Sequence, residues 1–581
     1  MRCCSCRAAL TACAYGPVHR IRVTRPTLSQ SLSQLADFAE IRGHALEATD
    51  WRRLSDELRH AGEDEIARLT DLAHRNQLSQ QTTVHPSLHW KLREILIDGP
   101  DLAVGAAWAS LPWLLRRLLE FAAVDSAGAA ALARAGIITA AEFSAAMDDG
   151  RIASHLSEPE EALRMTAETL EIERPRVTLG RAVELIDSLT LLLAAAYPQM
   201  DSLTVSGDVR RCEPIVGTLT VVGSAADPLS ALDSLATVAS LRVLHRTARR
   251  ALLAYQQAEI DLRIAAPDEF GTVLHATTGS HRHITALRAR QGAVRLCARE
   301  SDVYTHAGLP WIAPELRHAT GEIEAAAEGR LPDLVGREHI RGDLHMHSTY
   351  SDGRDTLAEM VAMCATLGYE YIAITDHSER AGAARTVSPR ALAAQRDEIA
   401  RLRERHPSLT ILHGIEVDIM PDGTLDFPDD LLEPLDIVLA SLHDSGGHTP
   451  ARLTRRCLAA IQHPLVNVIC HPANRLVGRD AGYDLDFAAI YAAAASTGTA
   501  LEIDGAPSHL DLDGERAREA VTAGVTVTID SDCNKARLLD RQMRLGVGTA
   551  RRGWVETRHV LNTRPIAEVR AFIAAKRRSR A

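Results

Sequence analysis

The chain has 581 residues, of which 46% are hydrophobic and 24% are charged. This composition is typical of a globular protein of about three to five domains and excludes the disordered and fibrous classes. The net charge of −11 disfavours duplex-DNA binding through a broad basic surface, because such binding depends on counterion release. Only three lysines occur, Lys91, Lys535 and Lys576. Their positions exclude a Gly-Lys-Ser/Thr phosphate loop and disfavour lysine Schiff-base chemistry.

The first 27 residues contain a cluster of four cysteines, Cys3, Cys4, Cys6 and Cys13. Three interpretations are open: an export signal, a metal-binding tail, and a disordered or misassigned leader. Arg7 leaves only five uncharged residues before Cys13, too few for the apolar core of an export signal. We therefore favour the disordered leader.

The apolar stretch 103–124 is interrupted by Arg116, Arg117 and Glu120. No window reaches the roughly 20 apolar residues of a transmembrane helix, so we expect no membrane partner. The remaining cysteines are scattered, which is typical of reduced thiols. These observations predict a cytoplasmic protein.

The predicted secondary structure changes once within the first half of the chain. Between residues 27 and 181 apolar residues such as Leu32, Leu35, Ala36 and Ala39 recur at helical spacing, which predicts a set of small helices. Between residues 203 and 263 shorter β-rich runs surround a predicted helix at 230–239, which indicates a small α/β module. A charged linker with Pro332 and Gly336 follows at 328–338.

From Arg341 onward, seven β-type runs each end in a residue that can bind metal. These residues are His347, His377, Glu416, His443, His471, Asp504 and Asp532. They are spaced by about thirty residues, the length of one strand-helix unit. Repeated units of this kind close into a parallel barrel whose active site lies at the carboxyl ends of the strands.

Residues two apart on a strand face the same side, so His345 and His347 form a chelating pair. The full candidate set is His345, His347, Asp352, His377, Glu416, His443, His471 and Asp532. This mixture of imidazoles and carboxylates suits zinc, manganese or iron and exceeds the needs of one tetrahedral ion. Two or more ions are implied, an arrangement that activates water for in-line phosphoryl displacement. We expect Asp376, beside His377, to orient a ligand rather than bind metal.

The motifs His345-Met-His347, Ser351-Asp-Gly353, Thr375-Asp-His377, Gly414-Ile-Glu416, Ser441-Leu-His443, His471-Pro472 and Ser531-Asp532 resemble those of the polymerase-and-histidinol-phosphatase (PHP) domain. The resemblance covers about residues 337–565. It implies a distorted seven-stranded (β/α) barrel that holds up to three zinc or manganese ions through nine ligands and hydrolyses phosphoesters. Eight ligand positions match, but the family's Asp-x-His is here Asp532-Cys-Asn534. The third metal, expected on Asp352, His377 and Asn534, should therefore be weak.

The upstream motifs Ser206-Gly-Asp-Val-Arg-Arg211, Ile260-Asp-Leu-Arg263 and Thr278-Gly-Ser280 resemble bacterial family X DNA polymerases, in which a PHP domain follows the polymerase. The resemblance implies a multidomain chain with a helical N-terminal region, a small nucleotidyltransferase-like palm and the C-terminal barrel. It also implies DNA-repair activity, with 3′-to-5′ exonuclease or related DNA-end hydrolysis in the PHP domain. The domains expected are a leader at 1–27, a helical domain at 28–105, fingers-like helices at 106–180, a palm at 181–270, a thumb-like region and linker at 271–336, and the PHP domain at 337–581.

The polymerase resemblance fails at the catalytic strand. Where family X enzymes have Gly-Asp-x-Asp, this chain has Gly217-Thr218-Leu-Thr220, and only the third carboxylate, Asp261, remains. One carboxylate cannot hold two magnesium ions, so polymerase activity should be lost. Asp208 stands where the family uses a phosphate-binding serine, and 122–128 lacks most glycines of the family's DNA-binding hairpin. We favour a retained scaffold for residues 28–335.

The expected roles follow from these matches. Glu416 should bridge two ions, with His345, His347 and Asp532 on one and with His443 and His471 on the other. Arg475 is equally well interpreted as a phosphate ligand or as an exposed loop arginine. Asp530, two residues before Asp532, is the nearby carboxylate that could replace the missing ninth ligand. We also expect hydrolysis of a small substrate to survive removal of residues 1–335.

Three substrate interpretations remain open from the sequence. The first is a DNA-end exonuclease or 3′-phosphoesterase, which inherits the domain arrangement. The second is a small-molecule phosphomonoesterase of the histidinol-phosphatase type, which fits the acidic charge. The third is a non-catalytic DNA-binding scaffold, which the intact ligand set disfavours. The sequence carries no signal for the oligomeric state.

Overall fold

The computed structural model describes residues 27–578 except 61–62, 79–83, 122, 155–165, 168, 171–174, 236–237, 292–294, 381–384 and 445. The leader predicted at 1–27 therefore lies outside the described residues, apart from Thr27. The chain divides into two compact units, Met1–Gly136 and Ile137–Ala581. None of the helices described is long and apolar enough to span a bilayer.

The first unit is helical, as the periodicity predicted. Its helices are Leu28–Ile41, Ala45–Arg59, Glu63–His74, His89–Asp98, Pro100–Ala109, Trp113–Glu120 and Ser126–Arg134. A capping box between Thr27 and Gln30 starts the first of these helices, which satisfies amides that would otherwise lack partners. Leu32, Ala36 and Ala39 face the core of this unit and are fully buried.

The second unit opens with the small α/β module that the β-rich runs predicted. Helix Ala140–Asp148 and the long helix Leu179–Ala196 precede a five-stranded sheet. Neighbouring strands in this sheet are, in order, Ser202–Ser206, Leu219–Ser224, Ala258–Ala265, Arg250–Tyr255 and Arg242–Arg246. The strands of this module are β1 Val177–Thr178, β2 Ser202–Ser206, β3 Ile215–Val216, β4 Leu219–Ser224, β5 Arg242–Arg246, β6 Arg250–Tyr255 and β7 Ala258–Ala265. Strand β4 runs parallel to β7 and places Thr220 opposite Asp261.

Short helices surround this sheet and continue toward the barrel. They are Gly207–Arg210, Pro228–Leu235, Phe270–Thr278, His281–Gln291, Glu300–His306 and Glu322–Ala327. The domain boundaries expected from the sequence remain predictions.

The rest of the second unit is a seven-stranded parallel sheet whose strands follow one another in chain order. They are β8 Gly342–Asp343, β9 Tyr371–Ile374, β10 Thr410–Asp418, β11 Ile437–Ser441, β12 Val468–Ile469, β13 Ala500–Asp504 and β14 Val527–Asp530. A parallel bridge between Met346 and Cys533 joins the two ends of the sheet. The sheet is thus a nearly closed barrel, as the repeated strand-helix spacing predicted.

Helices pack around this barrel. They are Leu357–Thr366, Pro389–Arg405, Asp429–Leu432, Pro450–Gln462, Phe487–Thr497, Gly514–Thr522, Leu539–Arg552 and Ile566–Arg578. Strands β9 and β11 are buried along their whole length, as expected for parallel strands that are covered on both faces. Leu412 belongs to an apolar cluster with Val569 and Ile573 of the last helix. Because side chains alternate along a strand, Glu416 lies on the same face as Leu412, toward the carboxyl end of β10.

Candidate metal centre

The predicted ligands meet at the carboxyl ends of the barrel strands. His345 and His347 follow β8, His377 follows β9, Glu416 lies in β10, His443 follows β11, His471 follows β12 and Asp532 follows β14. The spacing argument therefore predicted their convergence correctly. His471 and Asp532 adopt positive φ angles of 26° and 45°, a costly backbone conformation that clusters at functional sites.

Glu416 is the centre of this cluster, and its carboxylate is fully buried. Oxygen Oε2 lies 2.8 Å from His377 Nδ1, 3.4 Å from His345 Nε2 and 3.7 Å from His347 Nε2. Oxygen Oε1 lies 3.1 Å from His471 Nε2 and 3.4 Å from His443 Nε2, and it accepts a hydrogen bond from Ser441 Oγ. One carboxylate thus faces five imidazoles contributed by four strand ends.

The donor atoms fit divalent cations. The Nε2 atoms of His345 and His347 lie 3.1 Å apart and face the same point, and Asp532 Oδ1 is 2.9 Å from His347 Nε2. Glu416 Oε2 and His471 Nδ1 are buried without a hydrogen-bond partner in the described structure. Groups of donors close enough to share one ion include His345, His347 and Asp532; His347, Asp352 and His377; and His377, Glu416 and His443. Nitrogen and oxygen donors in this mixture suit zinc or manganese.

The electrostatics of the cluster favour ionised carboxylates. Burial opposes the ionisation of Glu416, but the surrounding imidazoles, His377 foremost, hold its pKa well below the usual value. Burial also opposes ionisation of Asp532, yet His345 and His347 lower its pKa. Burial works against protonation of His443, whereas Glu416 and Asp418 raise its pKa to about 10.

Two buried carboxylates beneath the ligands were missed by the sequence reasoning. Glu502 Oε1 lies 2.7 Å from His345 Nδ1, and its other oxygen accepts the backbone amide of His471 at 2.8 Å. Asp418 contacts His443 Nδ1. Glu502 lies two residues before Asp504 in β13, and Asp418 lies two residues after Glu416 in β10. Residues two apart on a strand face the same side, so strand alternation would have indicated both. Asp504, proposed from the sequence as a strand-end residue, instead accepts the amide of Ala506 at 2.6 Å.

Asp376 stabilises the turn between His347 and Asp352 through hydrogen bonds. Its oxygens accept the backbone amides of Ser348 at 2.8 Å and Ser351 at 3.1 Å, together with the amide group of Gln395 at 2.6 Å. Asp376 thus positions the ligand-bearing turn through its backbone, which is the geometry of an orienting residue.

The expected third site is looser than the other two. Asp352 Oδ1 lies 3.7 Å from His377 Nε2, and Asp352 Oδ2 accepts a hydrogen bond from Asn534 Nδ2 at 2.8 Å. The suggested substitute, Asp530, does not turn toward this site. Its Oδ1 accepts the amide of Leu344 at 2.8 Å, and its side chain is fully buried in the barrel.

A cleft of about 630 Å³ opens above the cluster. Arg354 and Lys535 line it beside Asn534, and Pro507, Ser508 and His509 line another part. Arg475 is placed differently from the phosphate-binding interpretation. Its guanidinium donates to the carbonyl of His509 at 2.8 Å and to Asp513 Oδ2 at 2.9 Å, so it joins two loops of the barrel.

The polymerase-like cleft is the one lined by Thr218, Thr220 and Asp261. Asp261 Oδ1 accepts Arg250 Nε at 2.6 Å, and Oδ2 accepts Arg263 Nε at 3.0 Å. Burial opposes ionisation of Asp261, yet the two guanidinium groups lower its pKa. Asp208 is bound to Arg211 and to the amide of Gly217.

The segment expected to replace the glycine-rich hairpin is described from Ala123 onward, because Ala122 lies outside the described residues. Asp125 accepts the amide of Gly128 at 2.7 Å and caps helix Ser126–Arg134. The backbone amides at this position therefore start a helix.

Comparisons with known proteins agree with this architecture. A family model of the PHP domain matches residues 343–474. The DNA polymerase/3′-5′ exonuclease PolX of Bacillus subtilis (strain 168) is 35% identical over 389 residues, which cover 63% of this chain and 68% of that protein. A "Probable phosphatase" of Syntrophotalea carbinolica is 35% identical over 167 residues, 28% of this chain and 64% of that protein. The histidinol phosphate phosphatase of Lactococcus lactis, solved with zinc, L-histidinol and phosphate, is 22% identical with a TM-score of 0.29 and covers 36% of this chain and 93% of that one.

The likeness to the Bacillus protein extends well beyond the 343–474 segment, since it spans 63% of this chain at 35% identity. Together with the barrel and its ring of imidazoles and carboxylates, this likeness places the chain among known proteins: it belongs to the PolX family, and its barrel is a PHP-domain phosphoesterase.

Proposed function

We propose that this protein is a metal-dependent hydrolase of phosphoesters at DNA ends, acting as a 3′-to-5′ exonuclease or 3′-phosphoesterase in DNA repair, and that its polymerase activity is lost. The observation that carries the proposal is the buried Glu416 carboxylate, which faces five imidazoles at the strand ends. The likeness to a PolX protein described as a 3′-5′ exonuclease supports DNA as the substrate.

The ligand set suits two to three zinc or manganese ions. His345, His347 and Asp532 would hold one ion, His443 and His471 a second, and Glu416 would contribute an oxygen to each. Asp352, His377 and Asn534 would hold a third. When bound, such ions supply Lewis acidity that activates water and neutralises charge on the phosphoryl oxygens.

The chain orients these ligands through buried carboxylates. With its Nδ1 proton directed at Glu502, His345 presents the lone pair of Nε2 to the centre. Asp418 holds Nδ1 of His443 in the same way, and Nε2 of His443 faces Glu416. Carboxylates that bind the distal nitrogen fix both the tautomer and the ring orientation of a ligand histidine.

Two cations at the cleft are suited to the substrate phosphate. Arg354 and Lys535 line the cleft next to Asp352 and Asn534, where the third ion would be weakly held. A guanidinium can bind two phosphate oxygens at once, and an ammonium adds a compact charge. We assign substrate binding to this pair in place of Arg475, whose guanidinium is engaged by loop atoms.

The proposed loss of polymerase activity rests on the hydrogen bonds that Asp261 accepts from two arginines. Nucleotidyl transfer needs carboxylates that hold two magnesium ions against a triphosphate. Here Thr218 and Thr220 carry no charge, and the remaining carboxylate is bound on both oxygens by Arg250 and Arg263. The guanidinium groups thus occupy the carboxylate that magnesium would need.

A second function, small-molecule phosphomonoesterase of the histidinol-phosphatase type, is favoured by one observation. Several relatives of the barrel carry the description "Probable phosphatase", among them one from Thermoanaerobacter sp. that is 30% identical over 204 residues, 78% of its length. The net charge of −11 fits a small substrate as well. A non-catalytic DNA-binding scaffold fits only the altered polymerase cleft.

The test is manganese-dependent hydrolysis of an end-labelled 3′-recessed duplex beside a panel of small phosphomonoesters. We expect release of nucleotides or 3′-phosphate from the duplex, inhibition by chelators, and loss of activity by orders of magnitude in Glu416→Gln and His345→Ala. Glu370→Gln, an exposed carboxylate paired with Arg341, is the matched control and should retain full activity. Turnover of small esters with an intact duplex would select the second function, and full activity of Glu416→Gln would contradict both.

A further inference from the structure

Two loops, 471–483 and 505–513, form one wall of the catalytic cleft, and we call them the rim loops. Val477 donates its amide to the carbonyl of Ser508 at 2.8 Å, and Arg475 Nε donates to the carbonyl of His509 at 2.8 Å. His509 lines the cleft and stacks on His471 with ring centroids 5.6 Å apart. These hydrogen bonds join the two rim loops, and the position of 505–513 determines where His509 lies beside His471.

On the side away from the cleft, the rim loops pack against the polymerase-like module, which is the five-stranded sheet with helix Leu179–Ala196 and the short helices around it. Val477 and Leu510, which are 8% and 1% exposed, belong to the apolar core of that module together with Leu179 and Val216. Helix Leu179–Ala196 meets the rim loops at Gly180, where an added Cβ atom would lie 2.2 Å from Pro507 Cβ. The second residue of this helix therefore has no room for a side chain.

Leu510 also holds a strained backbone. Its φ angle is 47°, in the left-handed region that is unfavourable for a residue other than glycine. Such a conformation persists only where its surroundings over-determine it. Here the surroundings are the core of the polymerase-like module, which buries the leucine side chain.

We propose that the polymerase-like module is a positioning element for hydrolysis in the barrel, and that the contact between Gly180 and Pro507 sets the position of the cleft wall. Although it no longer polymerises, the module would keep a role in phosphoester hydrolysis, because it would hold Pro507, Ser508 and His509 at the cleft. A barrel without residues 1–335 would lose the apolar cover of Val477 and Leu510. The proposal therefore predicts weaker hydrolysis of a small substrate after that deletion, opposite to the expectation from the sequence.

The test uses the full chain and the single variant Gly180→Ala. Alanine favours the helical conformation more than glycine does, so a defect cannot come from a weaker helix. It would come from displacement of Pro507. The double variant Gly180→Ala with Pro507→Gly removes the Cβ atom on the opposite side of the contact. Leu191→Ala, on the exposed face of the same helix where Leu191 is 75% exposed, is the control.

Two measurements are made on each variant: steady-state hydrolysis, and hydrogen exchange of the amides in 505–513. For Gly180→Ala we expect KM to rise about tenfold or more, as misplaced positioning groups cause, with bound metal unchanged and faster exchange in 505–513. The double variant should recover both properties, and Leu191→Ala should match wild type. Unchanged KM and exchange in Gly180→Ala, or additive defects in the double variant, would overturn the proposal. Hydrogen exchange decides it even if the wild-type protein hydrolyses none of the phosphoesters tested, a result that would contradict only the proposed function.

Discussion

Asn534 donates a hydrogen bond from Nδ2 to Asp352 Oδ2 at 2.8 Å. The amide therefore binds one oxygen of the carboxylate that the third ion would need, at the position where a histidine is expected in the PHP domain. A neutral amide is also a poorer ligand for zinc or manganese than an imidazole.

We accordingly predict about two tightly bound ions per chain, with a third that binds only at high metal concentration. Asn534→His should tighten the third site, because an imidazole replaces the amide beside Asp352 and His377. Elemental analysis after desalting, followed by calorimetric titration of manganese, measures both values. Three ions retained by the wild-type protein after desalting would contradict this prediction.

Removal of the buried Glu502 charge should weaken metal binding although Glu502 is not itself among the predicted ligands. Glu502→Gln replaces the carboxylate that contacts His345 Nδ1, and the loss of such an orienting partner typically costs about 10- to 100-fold in metal affinity or activity. Competition with a fluorescent chelator reports the affinity directly. Glu370→Gln is again the control, and equal affinity in the two variants would rule out an orienting role for Glu502.

The altered polymerase cleft should not extend a primer. On gapped DNA with all four nucleotides and magnesium or manganese, we expect no template-directed extension. Asp261 is bound by Arg250 and Arg263, and Thr218 and Thr220, just before and within the neighbouring strand, carry no carboxylate. Thr218→Val with Thr220→Val should behave identically, since the hydroxyls have no catalytic role. Extension by wild type that the double variant abolishes would show that the threonines do take part.

The stability of the barrel should increase at alkaline pH through Lys576. Burial lowers the pKa of Lys576 to about 8, whereas an unfolded lysine titrates at about 10.4. Between these values the unfolded state binds more protons than the folded state, so the free energy of unfolding rises with pH, by up to about 3 kcal/mol. Well below the folded-state pKa both states carry the proton and this contribution is constant.

Comparison with Lys576→Met isolates this effect. The ammonium of Lys576 donates to the carbonyl of Ile461 and to Thr499 Oγ1, and methionine retains most of its packing without a titratable group. Urea unfolding at about pH 7.5 and about pH 9.5, on either side of the folded-state pKa, should show wild type gaining stability relative to the variant as the pH rises. An equal change in the two proteins would show that Lys576 does not titrate in this range.

The barrel and the convergence of the candidate ligands at one end of it could be predicted from the sequence. Strand alternation and the spacing of about thirty residues are local properties, so His345, His347, Glu416 and Asp532 are assigned to one end of one sheet by pattern alone. The loss of two polymerase carboxylates at Thr218 and Thr220 is equally evident, because a missing charge is a property of the residue itself.

The groups that support those ligands depend on tertiary packing. Glu502 meets His345 across 157 residues of chain. Strand alternation places Glu502 on the same face as Asp504, but only the closure of the barrel brings it to His345. From the sequence Arg475 could equally have faced solvent or phosphate. In the structure it does neither and donates to the carbonyl of His509 and to Asp513. The contact between Gly180 and Pro507 likewise depends on how the polymerase-like module packs on the barrel. The two residues are far apart in the chain, and a contact of this kind leaves no periodic pattern in the sequence.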